Sequence, residues 1–566
     1  MMKYWTDYNG HVPKILGEKK KFDNTIYSFD IETTSFLILN GKMIPACKYL
    51  DLTDEEQEEC IKMSNMYIWM FSINETVYYG RTWNELRAFL LRIESWGTAE
   101  KKIVYVHNLA FEFTFMRNAF KFKNVFARKS RKPMRFDLEE FNFEFRCSFV
   151  LTNSKLENLP HDYDLKVEKL VGNLNYDIIR NSKTELSEKE LSYCENDCLV
   201  IYEYIRKELE TYKTLKAIPL TNTGHVRNEL KEKVMKNYDY RNKVRKSINV
   251  DGHVYNLLLQ AFQGGYTHGN WIYTSTVIKG DIDSWDFTSS YPFCMCCFKY
   301  PSTKFRPLKI KRKEQMIKEF AYLLKVKFYD IECKYFNNFI SSSKCIYISK
   351  GKYDNGRLMK AKEIEIVLTD VDFNFICESY KFKEYEFEEV YYSVYNYLPL
   401  EFVEFILEKY ENKTKYKGVE GMESVYAIEK SKFNSLYGMS VTNNIKSEVI
   451  FDNDFGWREE KINNETIEKK LIDEEKQGFL SFSYGCWITA WARNNLLTNL
   501  IKLDKNVLYS DTDSLKVFGD YDKSIIENYN KSVIERIEKV SKERGIDINK
   551  FKPKDVKGKE RWLRYL

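Results

Sequence analysis

Two aspartates separated by one residue constrain the fold of this chain more than any other feature of its sequence. Asp511 and Asp513 lie in the segment VLYSDTDSLKV (507–517), between two short apolar runs that favour β-strands. The pattern predicts a tight connection between two strands, with both carboxylates close to the turn. Because like charges this close repel each other, we expect a cation to be bound beside them.

Two upstream segments of the same half carry further polar groups. DIDSWDFTSSYPFCM (281–295) predicts a strand that ends at Asp286, followed by a turn and a helix. EKSKFNSLYGMS (429–440) predicts a helix that ends at Gly438. One stripe of that helix consists of Lys430, Asn434 and Tyr437. Such a stripe can bind triphosphate oxygens and stack near a base, but an exposed amphipathic face explains the segment equally well.

The first 200 residues alternate strand-like and helix-like runs, which predicts an α/β layer with helices over a sheet. Pro219 and Gly224 punctuate the chain after these runs, so we place the main domain boundary near residue 220. The remainder mixes strands and helices without a simple period, which is typical of α+β structure.

The amino-terminal half contains a second acidic group, spread over three segments. Asp30 and Glu32 alternate along a strand and therefore share one sheet face. VYVHNLAFEF supplies Asn108, Phe111 and Glu112, and the helical segment LSYCENDCL supplies Tyr193 and Asp197. Each segment alone is unremarkable. Together, the four carboxylates offer oxygen ligands for two Mg²⁺ or Mn²⁺ ions, an arrangement that cleaves phosphodiesters.

Taken in order, these motifs resemble those of family B DNA polymerases. D-x-E, N-x-x-F-E and Y-x-x-x-D resemble the 3′–5′ proofreading exonuclease domain, and D-x-x-S-x-Y-P, K-x-x-x-N-S-x-Y-G and Y-x-D-T-D-S match the polymerase motifs. The resemblance implies an α/β, ribonuclease-H-like exonuclease domain over 1–220. It also implies an α+β right-hand polymerase domain over 221–566, with palm, fingers and a partial thumb.

For the exonuclease domain, the resemblance implies that the metal ligands are Asp30, Glu32, Glu112 and Asp197. Tyr193 would orient the attacking water, and Asn108 and Phe111 would contact the single-stranded 3′ end. Two departures from the family pattern stand out. Glu112 replaces the usual Asp, and Val171 occupies the place of the family's exonuclease lysine.

For the polymerase domain, the resemblance implies that Asp286 and Asp513 bind two metal ions with the help of Asp511. Lys430 would pair with phosphate oxygens, and Tyr291 would exclude a 2′-hydroxyl. Asn434 and Tyr437 would line the nascent base pair. FQGG (262–265) occupies the place of the linker motif Y-x-G-G, so DNA contacts are expected from Phe262, Gly264 and Gly265.

SYGCWITAWARNNL (483–496) narrows the resemblance to the protein-primed phage branch, in which a terminal protein supplies the first hydroxyl. The 144 residues from Asp286 to Lys430 and the 73 from Gly438 to Asp511 leave room for that branch's two insertions, expected near 335–398 and 441–478. Only 53 residues follow Asp513, and no K-x-Y motif occurs there. We therefore expect a short or truncated thumb, with Lys552, Lys554 or Lys557 contacting phosphates.

The sequence thus predicts a DNA-directed DNA polymerase that replicates viral DNA, proofreads, and starts on a terminal protein. Its expected cofactor is Mg²⁺ or Mn²⁺, two ions per active site, and its expected partners are template and primer DNA, dNTPs and the terminal protein. The alternatives are an exonuclease with a relic polymerase half and a non-enzymatic nucleic-acid-binding scaffold. The net charge of +6 is too small to decide among them. Because the sequence has no run of about 18 apolar residues, we expect the protein in the host cytoplasm, away from membranes. We also expect it to be a monomer.

Overall fold

The computed structural model describes residues 1–10, 22–96, 100–167, 175, 178–443, 445 and 447–563. The chain divides into two compact units. The first consists of Met1–His225, Glu423–Ile428 and Ser447–Lys461, and the second of Val226–Met422, Glu429–Lys446 and Ile462–Leu566. The chain therefore leaves the second unit twice and returns to it.

The elements of the amino-terminal part are given first. Its strands are β1 (Lys3–Tyr4), β2 (Tyr27–Leu39), β3 (Lys42–Pro45), β4 (Ile61–Ile73), β5 (Thr76–Gly80), β6 (Lys102–Val106), β7 (Phe122–Ala127), β8 (Pro133–Leu138) and β9 (Phe143–Cys147). Its helices are α1 (Asp54–Glu59), α2 (Trp83–Trp96), α3 (Ala110–Met116), α4 (Ser148–Thr152), α5 (Leu159–Asp162) and α6 (Glu188–Tyr212).

The remaining elements follow in chain order. The strands are β10 (Thr267–Gly269), β11 (Ile282–Asp286), β12 (Lys299–Pro301), β13 (Arg306–Pro307), β14 (Phe320–Cys333), β15 (Cys345–Ser349), β16 (Lys352–Asp354), β17 (Arg357–Thr369), β18 (Tyr380–Lys381), β19 (Glu384–Tyr397), β20 (Glu448–Asp452), β21 (Gly456–Glu460), β22 (Val507–Asp511) and β23 (Ser514–Phe518). The helices are α7 (Asn222–Val234), α8 (Tyr238–Ile248), α9 (Gly252–Ala261), α10 (Ser290–Cys297), α11 (Asp370–Ser379), α12 (Leu400–Lys415), α13 (Glu423–Ser440), α14 (Asn464–Gln477), α15 (Phe482–Leu503) and α16 (Ser524–Arg544).

The first unit is built on one mixed sheet in the order β1-β5-β4-β2-β6-β9-β8-β7-β20-β21, with β3 paired to β2. The central strand β2 shows how the sequence directs its two faces. Tyr27, Phe29 and Ile31 alternate into an apolar core that contains side chains of α2 and α3. The residues between them face the other side, where α6 packs, and the Ser28 hydroxyl donates to the Cys198 carbonyl at 2.9 Å.

The hairpin β20–β21 belongs to this sheet although its sequence lies far downstream. Val449 pairs with Ala127 of β7, and the ring of Phe451 lies 4.9 Å from that of Phe113. The Asn453 side chain accepts from the Phe122 N–H and donates to the Phe122 carbonyl. The expected insertion at 441–478 is thus divided, because 447–461 lies in the first unit whereas α14 lies in the second.

Within the described ranges, the second unit contains two sheets. The smaller has the order β10-β22-β23-β11, and the larger has β12-β19-β14-β17-β15, with β13, β16 and β18 paired to its strands. The expected insertion at 335–398 begins after β14 and includes the other long strands of the larger sheet. Helices α7 to α10, α12, α13, α15 and α16 contribute to a second apolar core.

The end of helix α13 differs from the sequence expectation. The prediction that the helix carrying Lys430 ends at Gly438 was wrong, because α13 continues to Ser440. Its last turn packs closely on α15, where a Cβ at Gly485 would lie 2.5 Å from the Ser440 carbonyl oxygen. Within the described ranges, none of the helices combines the length and apolar character needed to cross a membrane.

Candidate active sites: two carboxylate centres

The first centre is a compact group of carboxylates in the first unit. Asp30 and Glu32 lie on β2, on the face covered by α6, and Asp197 lies on α6. One oxygen from each of the three lies within 4.8 Å of the others. Elsewhere among the residues that the structure describes, no other His, Cys, Asp or Glu group of this size is so close. Carboxylate oxygens are the ligands that Mg²⁺ and Mn²⁺ prefer, so the donor set fits such an ion.

Glu112 lies beside this group but outside its closest cluster. It sits on α3 with only 2% of its surface exposed, and its Oε2 atom has no hydrogen-bond partner among the described residues. Burial, and secondly the charge of Asp30, raise the pKa of the Glu112 carboxyl well above its ordinary value. A buried carboxylate beside other carboxylates is the arrangement that a cation relieves.

Some of the side chains around the first centre are buried, and others are exposed. Burial, together with Glu32 and Asp30, raises the pKa of the Cys194 thiol, which therefore stays neutral. Tyr193 is half-buried on α6, one turn before Asp197. Asn108 and Phe111 are exposed at the start of α3, so their side chains are accessible to a ligand.

The second centre lies on the small sheet of the second unit. Asp511 on β22 and Asp286 on β11 are both in register with Ser514 of the strand between them. Residues in register across a sheet point to the same face, so the two carboxylates flank β23 on one side. Asp513 lies in the turn, and its carbonyl accepts from the Phe287 N–H at 2.7 Å. The structure thus brings Asp286 to Asp511 and Asp513, which lie more than 200 residues further along the chain.

The turn between β22 and β23 is tightly constrained. Thr512 has φ +54°, and its N–H donates to the Tyr266 carbonyl at 2.7 Å. A Cβ at Gly265 would lie 2.7 Å from the Thr512 side chain, so only glycine fits there without movement. The Thr267 hydroxyl donates to Asp511 Oδ1 at 2.9 Å. The FQGG segment (262–265), which is expected to contact DNA, therefore also packs against the turn that carries Asp511 and Asp513.

The proposed nucleotide-binding side chains share one region of the second unit. Lys430 and Asn434 are exposed on α13, whereas Phe433 and Leu436 face the core. Tyr437 stacks on Tyr291 of α10, with ring centroids 4.0 Å apart and the planes 8° from parallel. In the stripe predicted from the sequence, Lys430 and Asn434 are therefore exposed, whereas Tyr437 is held by its stacking on Tyr291.

Lys413 is a residue that the sequence reasoning missed. It lies on α12, and burial, then Lys417 and Lys430, lower the pKa of its ammonium group to about 8, against the opposing charge of Asp286. Lys413 therefore interacts electrostatically with Lys430, the predicted phosphate-binding lysine, and with Asp286, which the sequence predicts to be catalytic. The basic run KTKYKG (413–418) was the available signal, but nothing in its spacing pointed to this site.

The FQGG segment is held by α15. Arg493 donates to the carbonyls of Gln263 and Gly264, the latter at 2.9 Å. The same guanidinium makes a bidentate pair with Asp372, with bonds of 2.8 and 2.9 Å. Phe262 packs against Phe482, with ring centroids 5.9 Å apart. A Cβ added at Gly264 would meet no atom of the described residues within 4 Å, so there is open space beside this glycine.

The carboxy-terminal lysines differ from one another. Lys552 pairs with Glu560 at 3.2 Å, whereas Lys554 and Lys557 are exposed. The position of Val171, where the family's lysine was expected, lies outside the described residues.

The family profile of "DNA polymerase type B, organellar and viral" matches residues 170–532, which is more than half of the chain. The chain belongs to this family. The DNA polymerases of Bacillus phages B103 and Nf are each 22% identical to it, over 83% of this chain and 80% of theirs. These matches confirm the resemblance to phage-type family B DNA polymerases and make DNA polymerase the activity class of the chain.

Solved structures of phi29 DNA polymerase have the same fold as this type B polymerase. One crystal form matches with a TM-score of 0.65 and 18% identity, covering 89% of this chain and 82% of that one. A ternary complex of the phi29 enzyme with primer-template DNA and incoming nucleotide matches with a TM-score of 0.63 and 19% identity, over 90% and 82% of the two chains.

Proposed function

We propose that this type B polymerase copies DNA at the β22–β23 turn and removes 3′-terminal nucleotides at the Asp30–Glu32–Asp197 group. The observation that carries the proposal is the presence of two carboxylate centres in two separate compact units, each assembled from distant segments of the chain. A structural protein has no need to hold so many carboxylates together, because each group costs repulsion and desolvation.

At the polymerase centre, Asp286, Asp511 and Asp513 would hold divalent cations. When bound, such ions supply the charge that activates the primer hydroxyl and neutralises the pyrophosphate leaving group. Lys430 and Lys413 pair with the triphosphate. Tyr291 lies under the sugar, stacked on Tyr437, and leaves no room for a 2′-hydroxyl. Thr267 orients Asp511 through its hydroxyl.

At the exonuclease centre, Asp30, Glu32, Glu112 and Asp197 would hold cations of the same kind, which supply a nucleophilic hydroxide when bound. Tyr193 positions the attacking water from the same helix as Asp197. Asn108 and Phe111 hold the frayed 3′ end, since both are exposed at the start of α3. The two centres thus use the same ligand chemistry for opposite reactions.

Initiation is the third part of the proposal. The phage-type resemblance supports a start on the hydroxyl of a terminal protein in place of a primer 3′-hydroxyl, within the infected host cell. Incubation with a candidate priming protein, Mg²⁺ and a labelled dNTP tests this directly. Covalent label on the priming protein is expected, and primer extension without any such label would reject protein priming alone.

Two substitutions test the two centres against each other. Asp511→Asn is expected to abolish Mg²⁺-dependent primer extension while 3′–5′ degradation of single-stranded DNA continues. Asp30→Ala is expected to do the reverse. If both variants lost both activities while remaining folded, two separate sites would be excluded. If the parent chain degraded DNA but never extended a primer, it would be an exonuclease with a relic polymerase half. DNA binding with neither activity, unaffected by chelator, would indicate a scaffold.

A further inference from the structure

A strongly basic segment of the second unit lies outside both centres. Residues 304–318, hereafter the basic strip, contain seven Lys or Arg residues and one acidic residue, Glu314. Six of the seven cations are exposed and Lys313 is half-buried. The exposed ones are Lys304, Arg306, Lys309, Lys311, Arg312 and Lys318.

These charges are not neutralised within the described part of the chain, where no ion pair includes a cation of the strip. The adjoining strand β14 behaves differently. Lys325 pairs with Glu365 at 2.9 Å, and Lys327 pairs with Glu388 at 2.8 Å. The same sheet therefore supplies acidic partners to the lysines of β14, while the strip keeps its positive charge available.

The basic strip is an ordered part of the fold. Arg306 and Pro307 form β13 against β19, and the Leu308 N–H donates to the Val390 carbonyl at 2.9 Å. The N–H groups of Lys311 and Arg312 both donate to the Gln315 side chain. Cations carried on an ordered backbone lose less conformational freedom on binding a ligand than cations on a mobile tail.

Alternation along the strip explains why its cations face outward. Leu308, Ile310 and Met316 pack against the apolar core beneath the larger sheet. Lys309 and Lys311, which alternate with them, are therefore directed to solvent. Among the strip's large apolar side chains, Ile317 is exposed, at 51%. A protein interface normally has an apolar centre, whereas phosphate contacts need only cations.

We propose that the basic strip binds the phosphate backbone of a nucleic-acid strand outside the catalytic turn. The strip has the chemistry of sequence-independent binding, with several ordered, unneutralised cations and few apolar groups. This inference does not depend on the proposed polymerase and exonuclease reactions, because it concerns binding alone. Arg306 and Arg312 would contribute paired donors to phosphate oxygens, and the lysines point charges.

The test compares two triple variants of the full-length chain. One replaces Lys309, Lys311 and Lys318 of the strip with Gln. The control replaces Lys233, Lys362 and Lys381 with Gln, which are also exposed but pair with Glu408, Asp330 and Glu332. Both variants lose three positive charges, so a simple effect of net charge changes both equally. Binding of labelled single-stranded and duplex DNA is measured by fluorescence anisotropy in EDTA at several salt concentrations.

The strip variant is expected to lower the slope of log affinity against log salt by about 2 for a single strand or about 3 for a duplex. A slope change with one form of DNA and not with the other identifies the form that the strip binds, and the control slope is expected to match that of the parent chain. Equal changes in the two triple variants, or no change in either, would overturn the proposal. So would loss of binding to polyglutamate with DNA binding intact, because that result indicates an acidic protein partner.

Failure of this inference can be told apart from failure of the proposed function. If the parent chain incorporates no dNTP but the strip variant shows the expected slope change, the proposed polymerase function is rejected and the strip remains a DNA-binding site. If the parent chain extends primers but the strip variant has an unchanged slope, the polymerase function is retained and the strip is rejected as a DNA-binding site.

Discussion

The two carboxylate centres differ in how deeply their carboxylates are buried. At the first centre, Asp197 and Glu112 are buried, and three carboxylate oxygens, one each from Asp30, Glu32 and Asp197, lie within 4.8 Å of one another. At the second, Asp286 and Asp511 are exposed on neighbouring strands of a small sheet. Repulsion between charges is weak in water and strong in a protein interior, so the carboxylates of the first centre repel one another far more strongly than those of the second.

This difference affects how each centre is held in shape. The exposed centre depends on backbone geometry, because the turn at Thr512 and the register of β22, β23 and β11 place its aspartates. The buried centre depends on packing, because α3 and α6 must stay against the sheet. Four variants test this contrast, in order of decreasing expected effect.

The largest effect is expected from Gly265→Val, which places a branched side chain against Thr512. Displacing the turn should reduce primer extension about 100-fold with little change in exonuclease rate, because the reacting groups lose their alignment. Gly269→Val on β10 is the matched control, since a Cβ added there would meet no atom of the described residues within 4 Å. Steady-state extension and degradation assays on the same preparations measure both. Equal losses in the two glycine variants would show that Thr512 is not the cause.

Phe451→Ala is expected to affect the buried centre, although its sequence lies between polymerase motifs. Phe451 packs on Phe113, the neighbour of Glu112 on α3. Its removal should cost about 2 kcal/mol in the first unit and reduce the exonuclease rate about 10-fold. Phe455→Ala, at the hairpin turn with 85% exposure, is the control and should have no effect. Loss of primer extension in place of exonuclease activity would contradict this role of the hairpin.

A pH effect is expected at the exposed centre. The pKa of Lys413 is lowered to about 8, so its charge is present below that pH and lost above it. Losing a charge that pairs with the triphosphate should raise KM for dNTP about 5-fold between pH 7 and pH 9.5, or about 1 kcal/mol. Lys413→Arg stays charged and should remove this dependence, whereas Lys415→Arg should keep it. A pH-independent KM in the parent chain would place Lys413 away from the nucleotide.

The smallest effect is one of stability at the buried centre. Folding raises the pKa of Glu112, so the folded chain takes up a proton above the ordinary pKa and becomes less stable as pH rises through that window. Glu112→Gln carries no charge and should be about 1 kcal/mol more stable than the parent at pH 7.5 in EDTA. The advantage should vanish near pH 4.5 and shrink when Mg²⁺ is added.

Glu85→Gln provides the opposite control for this last variant. The Glu85 carboxylate accepts hydrogen bonds from the N–H groups of Arg81 and Thr82, so its neutral replacement should destabilise the chain. Chemical denaturation followed by circular dichroism measures both variants. A Glu112→Gln variant that is less stable than the parent in EDTA would show that its carboxylate is already compensated within the protein.

The membership of the family and the strand-turn-strand around Asp511 and Asp513 were predictable from the sequence. Local patterns carry this information, since alternation and turn residues act over only a few positions. The stripe of Lys430, Asn434 and Tyr437 was predictable for the same reason, but the residue at which its helix ends was not. The helix passes Gly438 because packing on α15 outweighs the weak helix propensity of glycine. The exonuclease and polymerase roles of individual residues stay predictions.

Three features depended on tertiary structure alone. The hairpin β20–β21 joins the first sheet, Lys413 interacts electrostatically with Asp286, and Gly265 packs on Thr512. Each joins residues that are more than 100 positions apart, and no local pattern encodes such a pairing. By itself the sequence determined which carboxylates exist and which local elements carry them. The tertiary structure decided which are buried and which face water, because burial depends on what packs against each element.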